Sequence, residues 1–350
     1  MKLNTDLLKG MLNTVNKCKP NQLLEITSYY NIKASNNRLV LTATDSVNYI
    51  QCIANIKSKE EFEVIVKADQ FAKLISKTTS KEIELKIDGD SLVVKGNGTY
   101  KVEIFTEEEY PSYEMNSCKV FNIRTKPLLH ALNVAKNIKS EATADGILYN
   151  YLIRDDKLIA TDSLKISYSE VKGFEENLLL PPGLANLLDS ITDESCEVSI
   201  NEDNTAITFK SEGVFIYGAL EEGEDEFPDV VSLFEDELPY NVELDTMQLL
   251  GALDRLKLFI SKFDNALIDI IFTSDLMTIS TLNGSVEVLS YSQPLDEELE
   301  YECTVNSNYL QSIIKSMRED KFNLEFGAED ILKFICKDEF ILALADGDDE

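Results

Sequence analysis

The sequence predicts an α+β protein made of three consecutive copies of one domain, with boundaries at 1–118, 119–238 and 239–350. Three observations carry that expectation. A hexapeptide occurs twice, LTATDS at 41–46 and LIATDS at 158–163, and a weaker version, MTISTLNGSV, begins at Met277. Apolar stretches with a polar opposite face start about 120 residues apart, at 5–17, 126–138 and 245–257. The first two copies close on the same kind of string, EEEYPSY with Tyr110-Pro111 and EDEFPDV with Phe227-Pro228, 117 positions apart. Self-similarity at a fixed period is the signature of a repeated structural unit.

Within a copy the expected order is helix, strands, helix, strands. The first helix is marked by apolar residues at helical spacing, as in Leu7, Leu8, Met11 and Val15. The middle strands alternate, as in Glu63-Val64-Ile65-Val66, which suits half-exposed antiparallel sheet. A strand then runs into a second helix in FEVIVKADQFAKLISK, NLLLPPGLANLLDS and YECTVNSNYLQSIIKS. The result is two helices against antiparallel sheets in each copy.

The repeated Ala-Thr-Asp-Ser string has two readings. Asp45 and Asp162 could be paired catalytic carboxylates, or both could sit in one structural corner. Only a corner has to keep step with helices and closing strands, and Thr and Asp suit turns because their side chains bond nearby backbone. The structural reading is the one expected.

Composition narrows the function. With 44% apolar and 27% charged residues the chain reads as an ordinary soluble globular protein. It shows no apolar run long enough to span a membrane and no signal peptide, so a cytoplasmic location is expected. Six cysteines (Cys18, Cys52, Cys118, Cys196, Cys303 and Cys336) lie far apart and are expected to be reduced. The single histidine, His130, makes a His-rich metal site or a Ser-His-Asp triad a poor reading, and no cofactor is expected.

A net charge of −30 argues against binding nucleic acid by global attraction. The positive charge, however, is gathered. Six helix windows (5–19, 68–81, 125–139, 182–192, 245–262 and 307–318) hold 14 Lys and Arg against five acidic residues, leaving 19 basic against 58 acidic elsewhere. Helical spacing turns Lys9, Lys17, Lys126, Arg255, Lys315 and Arg318 away from the apolar faces, and predicts a stripe of Lys73, Lys77 and Lys81. Lys136 lies in the same set of windows, whereas the fourth window carries no Lys or Arg. Lysines without base-reading partners suit contacts to phosphates, which position a duplex without reading it.

On LTATD in the first copy, IATDSLKIS and EFPDV in the second, and LLGALDRL and NSNYL in the third, the chain resembles the beta sliding clamp family of bacterial DNA polymerase III over essentially its full length. The resemblance implies a non-enzymatic processivity factor, two three-domain subunits joined head to tail in a ring around duplex DNA with the helices lining the hole. It implies three kinds of partner: double-stranded DNA without sequence preference, a DNA polymerase and clamp loader through short peptide motifs, and a second copy of the chain. Lys19, followed by Pro20, matches a DNA-touching loop position. A partner-peptide cleft would be formed by Leu148, Thr161, Ser163, Leu164, Lys165, Ile166, Pro228 and Leu233 with Ile341, Ala343 and Leu344. Val102 and Ile104 would meet Leu258 and Phe259 at the subunit joint. Two departures bear on the cleft. Ser163 stands where the family commonly has Gly, and the usual basic tail is replaced by LALADGDDE.

Three rivals are open at this level. A metal-dependent phosphohydrolase using Asp346, Asp348, Asp349 and Glu350 lacks a phosphate loop or a Cys/His motif. A DNA-mimicking acidic inhibitor explains the charge but not the repeat. A clamp-like adaptor acting as a monomer or with another chain keeps the fold without the ring. Cellular or viral origin is not fixed by the sequence.

Overall fold

The computed structural model describes residues 1–116, 118–230, 234, 237–260, 266–291, 294–295, 299–317, 319–327, 331–336 and 339–344, the last six as backbone only. One order of elements recurs three times. The first pass runs β1 (Lys2–Asn4), α1 (Thr5–Val15), β2 (Tyr29–Ser35), β3 (Arg38–Thr44), β4 (Tyr49–Asn55), β5 (Phe62–Lys67), α2 (Ala68–Ser76), β6 (Glu82–Asp88), β7 (Ser91–Lys95) and β8 (Thr99–Glu103). The second runs β9 (Cys118–Arg124), α3 (Thr125–Ala135), β10 (Tyr151–Arg154), β11 (Lys157–Thr161), β12 (Lys165–Glu170), β13 (Leu178–Leu180), α4 (Pro182–Leu188), β14 (Ser195–Asn201), β15 (Ala206–Lys210) and β16 (Val214–Ala219). The third runs β17 (Tyr240–Asp245), α5 (Thr246–Leu256), β18 (Leu267–Thr273), β19 (Leu276–Thr281), β20 (Val286–Ser290), β21 (Glu300–Asn306), α6 (Ser307–Ser316), β22 (Lys321–Phe326), β23 (Ile331–Cys336) and β24 (Glu339–Leu344).

Each pass opens on a strand that helix-first reading of the sequence does not see. These strands are short or polar, and in the first and third passes their last residue caps the helix. Asn4 accepts from the Asp6 and Leu7 amides, and Asp245 from the Gln248 amide, at 2.8–3.1 Å. The second helix of the third pass is capped in the same way by Asn306.

By compactness the chain forms two units, Met1–Lys126 with Pro181–Glu222, and Pro127–Leu180 with Gly223–Glu350. Residues of the expected middle copy therefore contribute to both. The first unit holds a four-stranded sheet, β1-β6-β7-β8, and an eight-stranded one, β5-β2-β3-β4-β16-β15-β14-β9. Its core joins Leu8, Met11, Leu12 and Val15 of α1 and Phe71 and Ile75 of α2 to Ile32, Leu39, Leu41 and Ile50. Burying each such side chain contributes roughly 1.5–3 kcal/mol. The second unit repeats the plan with β13-β10-β11-β12-β24-β23-β22-β17 and β20-β19-β18-β21. Its main core packs Leu249 and Leu253 of α5 and Leu310 and Ile313 of α6 on Phe272, Leu324 and Phe326, and a second cluster gathers Ile166, Phe227, Val230 and Phe234.

The helices stop short of the sequence windows. Past Ser76, the Thr78 hydroxyl bonds the Leu74 carbonyl, and Asn97 Oδ1 accepts the Thr79 and Ser80 amides at 2.7 and 3.1 Å. Asn97 is 17 positions or more away along the chain, beyond the reach of local pattern. The expected stripe of Lys73, Lys77 and Lys81 is thus corrected: Lys73 is on α2, Lys77 caps it, and Lys81 stands beyond the helix.

Candidate functional site

The twin hexapeptides form the same corner. Asp45 Oδ1 accepts the Val47 and Asn48 amides at 2.9 and 2.6 Å, and Asp162 Oδ1 accepts those of Leu164 and Lys165 at 3.0 and 2.7 Å. Thr44 and Thr161 accept the amides of Ser46 and Ser163 at 2.9 and 3.0 Å. Both serines sit in the left-handed region, at φ 81° and 78°. The carboxylates are spent on their own turns, which reverse β3 into β4 and β11 into β12. They are not a paired acid and base.

The two corners differ at one informative place. Asn48 bonds back to Asp45, but its counterpart Lys165 is buried and reaches Asp162 at 3.1 Å, the Asn137 carbonyl at 3.2 Å and the Tyr309 ring face at 4.7 Å. Lys165 thus ties the second corner to the end of α3 and to α6. Around it, Thr161 and Ile166 are buried, Leu148 is half-buried, and Ser163, Leu164 and Pro228 are exposed. Leu233 lies outside the described residues, and Ile341, Ala343 and Leu344 belong to β24, whose Ala343 pairs with Lys165. The sequence signal missed Lys139. It is also buried, donates to the Ser140 carbonyl at 2.7 Å and lies 4.2 Å from the Tyr149 ring, and burial pulls its pKa down.

Of the basic residues, Lys17, Lys77, Lys81, Lys126, Lys136 and Lys315 are exposed with no ion-pair partner among the described residues. Lys19 is exposed and donates to the Asn16 carbonyl at 3.0 Å. Lys9 donates to the Thr78 carbonyl at 2.8 Å, linking α1 to the end of α2. Lys73 pairs with Asp69 at 2.7 Å. Arg255 is held by both oxygens of Glu287 at 2.6 and 2.8 Å, which raises the guanidinium pKa and lowers that of the carboxylate. Its Nε and Nη2 are engaged in that pair. Arg318 lies outside the described residues.

Strand pairing supplies a feature that no single motif carries. The fourth strand of the first pass, β4, pairs with the last strand of the second, β16; likewise β12 pairs with β24, the last strand of the third. One fourth strand, β20, and one last strand, β8, remain as sheet edges. The side chains there differ from their counterparts at the made seams. Hairpin register equates Val286 with Tyr49 and Ile166, which are buried, yet Val286 is 54% exposed. Phe259, on a 3₁₀ turn after α5, equates with buried Cys18 and Ile138 and is 55% exposed; its neighbour Leu258 is 81% exposed. Ile104 is half-buried, whereas its counterpart Leu220 is buried. Val102 is corrected as a joint contact: its side chain is buried within the first unit and offers no surface.

Among the described residues, two cavities in the first unit bear on function. One, of about 440 Å³, lies under Lys19 and Lys73 beside Cys18 and Tyr30. Burial first, and then Asp45, pushes the Cys18 thiol up to about 12; burial, then Asp69, does the same to the Tyr30 hydroxyl. The other, of about 310 Å³, lies at the end of β8 between Tyr29, Phe105 and Ile104. Among the described residues no group of three metal-ligating side chains gathers, and no helix is long and apolar enough to cross a membrane. The acidic tail from Asp346 lies outside the described residues.

Comparison with known proteins agrees with this architecture. Residues 3–114 match the family described as DNA polymerase III beta subunit, N-terminal domain. The beta sliding clamp of Chlamydia trachomatis is 20% identical over 266 residues, covering 73% of this chain and 63% of that protein, slightly under two thirds of its length. The beta sliding clamp of Halalkalibacterium halodurans is 24% identical over 295 residues, covering 77% of this chain and 76% of that protein. The Helicobacter pylori beta clamp, solved bound to a DNA ligase peptide, superposes with a TM-score of 0.85 at 17% identity over 99% of both chains. The fold is therefore that of the DNA clamps. Within that class, residues 3–114 match the DNA polymerase III beta subunit family, and the relatives that align with more of the chain are beta sliding clamps. These relatives are bacterial, and a viral origin gains no support from them.

Proposed function

We propose that this protein is a DNA sliding clamp: two chains close head to tail into a ring around duplex DNA and tether the replicative polymerase, with no catalysis of their own, in the cytoplasm. The carrying observation is the unmatched seam. Two fourth-to-last strand pairings are made within the chain, and one edge of each kind is left over, with apolar side chains exposed where their counterparts are buried. A head-to-tail contact between such edges makes a ring if the rotation closes. Three clamp domains per chain, as the sequence boundaries have it, would give six around the ring.

The made seams predict the register of the missing one. Phe215 lies opposite Gln51, and Tyr217 opposite Tyr49. Transferred by hairpin position, Thr99 faces Val288 of a second copy, Tyr100 faces Glu287, and Lys101 faces Val286. The exposed lysines of the helix ends would supply many weak phosphate contacts, which suits sliding, and the acidic remainder would discourage DNA from binding outside. The corner at 161–166 and the apolar cluster beside it would receive the short peptide motifs of polymerase and clamp loader.

The test is solution mass by light scattering, then retention on nicked circular DNA before and after linearisation. The expected result is a mass near twice 39.4 kDa, retention on circles and loss from linear DNA. A monomer that circular DNA does not retain would sink the ring and leave a clamp-like adaptor. Lys101→Cys with Val286→Cys in one chain should cross-link the dimer if the register is right, because facing residues of a strand pair bring their Cβ atoms within disulfide range.

A further inference from the structure

We infer that the cavity at the end of β8 seats the Lys257 ammonium of a second copy of this chain. The inference rests on the ring reading above.

Position comes first. The transferred register sets Ser285 of the second copy opposite Val102 and Gly284 opposite Glu103, the last residue of β8 and one rim of the cavity. In the chain itself, Asn283 Nδ2 donates to the Phe259 carbonyl at 2.5 Å. The 3₁₀ turn Lys257–Phe259 therefore travels with the hairpin turn that meets the cavity.

The made seam shows what the space is for. Gln70, the third residue of α2, stands where α4 has Leu184. At that seam Leu184 fills the gap so closely that a Cβ on Gly218 would fall 2.5 Å from Leu184 and 2.7 Å from Asn48 Oδ1. At the open edge Gln70 lines a cavity of about 310 Å³ instead. The made seam is filled at this place by a side chain, and the open edge leaves room there for one from a second copy.

Charge says which occupant. Glu25, Glu103 and Glu107 face one cation, Lys67, whose ammonium lies 5.8 Å from the Tyr29 ring centre. Tyr29 and Phe105, with ring centres 4.5 Å apart, make an aromatic wall of the kind that attracts an ammonium. On the opposing edge Arg255 is committed to Glu287. Lys257 is exposed, and among the described residues its ammonium has a single contact, 3.5 Å from Gln311 Oε1. Leu258 and Phe259 beside it would cover Ile104 as the lysine enters.

The experiment is a charge swap read by the dimer dissociation constant, from sedimentation equilibrium at about 50 and 300 mM salt. Lys257→Glu, and separately Glu103→Lys with Glu107→Lys, should each weaken the dimer about tenfold or more, and the combination should recover to within about threefold of wild type. Glu103→Gln with Glu107→Gln, which adds no repulsion, should weaken it less and flatten its salt dependence. If Lys257→Glu leaves the constant unchanged, or the combination is no better than the single changes, the cavity assignment is overturned while the dimer stands. If the wild-type chain is monomeric throughout, the ring reading fails and takes this inference with it.

Discussion

Ser163 holds a backbone conformation that costs an L-residue energy, and so does Ser46. A glycine there is free of the Cβ penalty, although it gains entropy when unfolded. Ser163→Gly is therefore expected to stabilise the protein by about 0.5–1 kcal/mol, and Asp162→Ala, which strands two amides, to cost about 1–3 kcal/mol. Thermal unfolding of the two variants checks both signs; a destabilising Ser163→Gly would mean the hydroxyl is needed. The Cys18 thiol and Tyr30 hydroxyl give a pH dependence. Both have folded pKa values of about 12, raised from 9.0 and 10.0, so the folded state binds their protons more tightly. Their contribution is intact below the unfolded values and is lost as pH rises from about 9 toward 12. Unfolding midpoints should fall over that range, and Cys18→Ala should blunt the fall.

At the scale of elements, edge strands carry the contrast between core and joint. The family resemblance sets Val102 and Phe259 at one interface, but the structure buries the first and exposes the second. Val102→Ala should thus cost about 2 kcal/mol by leaving a cavity, without changing the dimer constant in proportion. Phe259→Ala with Leu258→Ala should leave the monomer's melting almost unchanged and yield monomer by light scattering. The reverse pattern would mean that the joint has been placed on the wrong side chains. Sequence could not separate these residues, because alternation tells that two faces exist and not which one another sheet covers.

For the whole molecule, segregation of charge matters more than its sum. Neutralising Lys17, Lys77, Lys126 and Lys136 should shorten retention on circular DNA and lower the slope of its salt dependence by about 0.9 for each phosphate no longer neutralised. Arg255→Ala should change little, because its Nε and Nη2 are engaged by Glu287. Equal effects from Arg255 and from a single free lysine would show that the ion pair opens on DNA.

The sequence by itself determined the α+β class, the threefold period, the role of Asp45 and Asp162 as corners, and the gathering of lysines on helix windows. Those features are local: period, cap and turn chemistry are written in residues a few positions apart. Only the tertiary structure decided that the chain packs as two units, that Asn97 ends α2 and displaces Lys81, that Arg255 is paired, that Val102 is interior, and that one seam is left open. Each of these depends on groups brought together from 17 to more than a hundred residues apart, where strand register and packing, rather than the sequence neighbourhood, choose the partner.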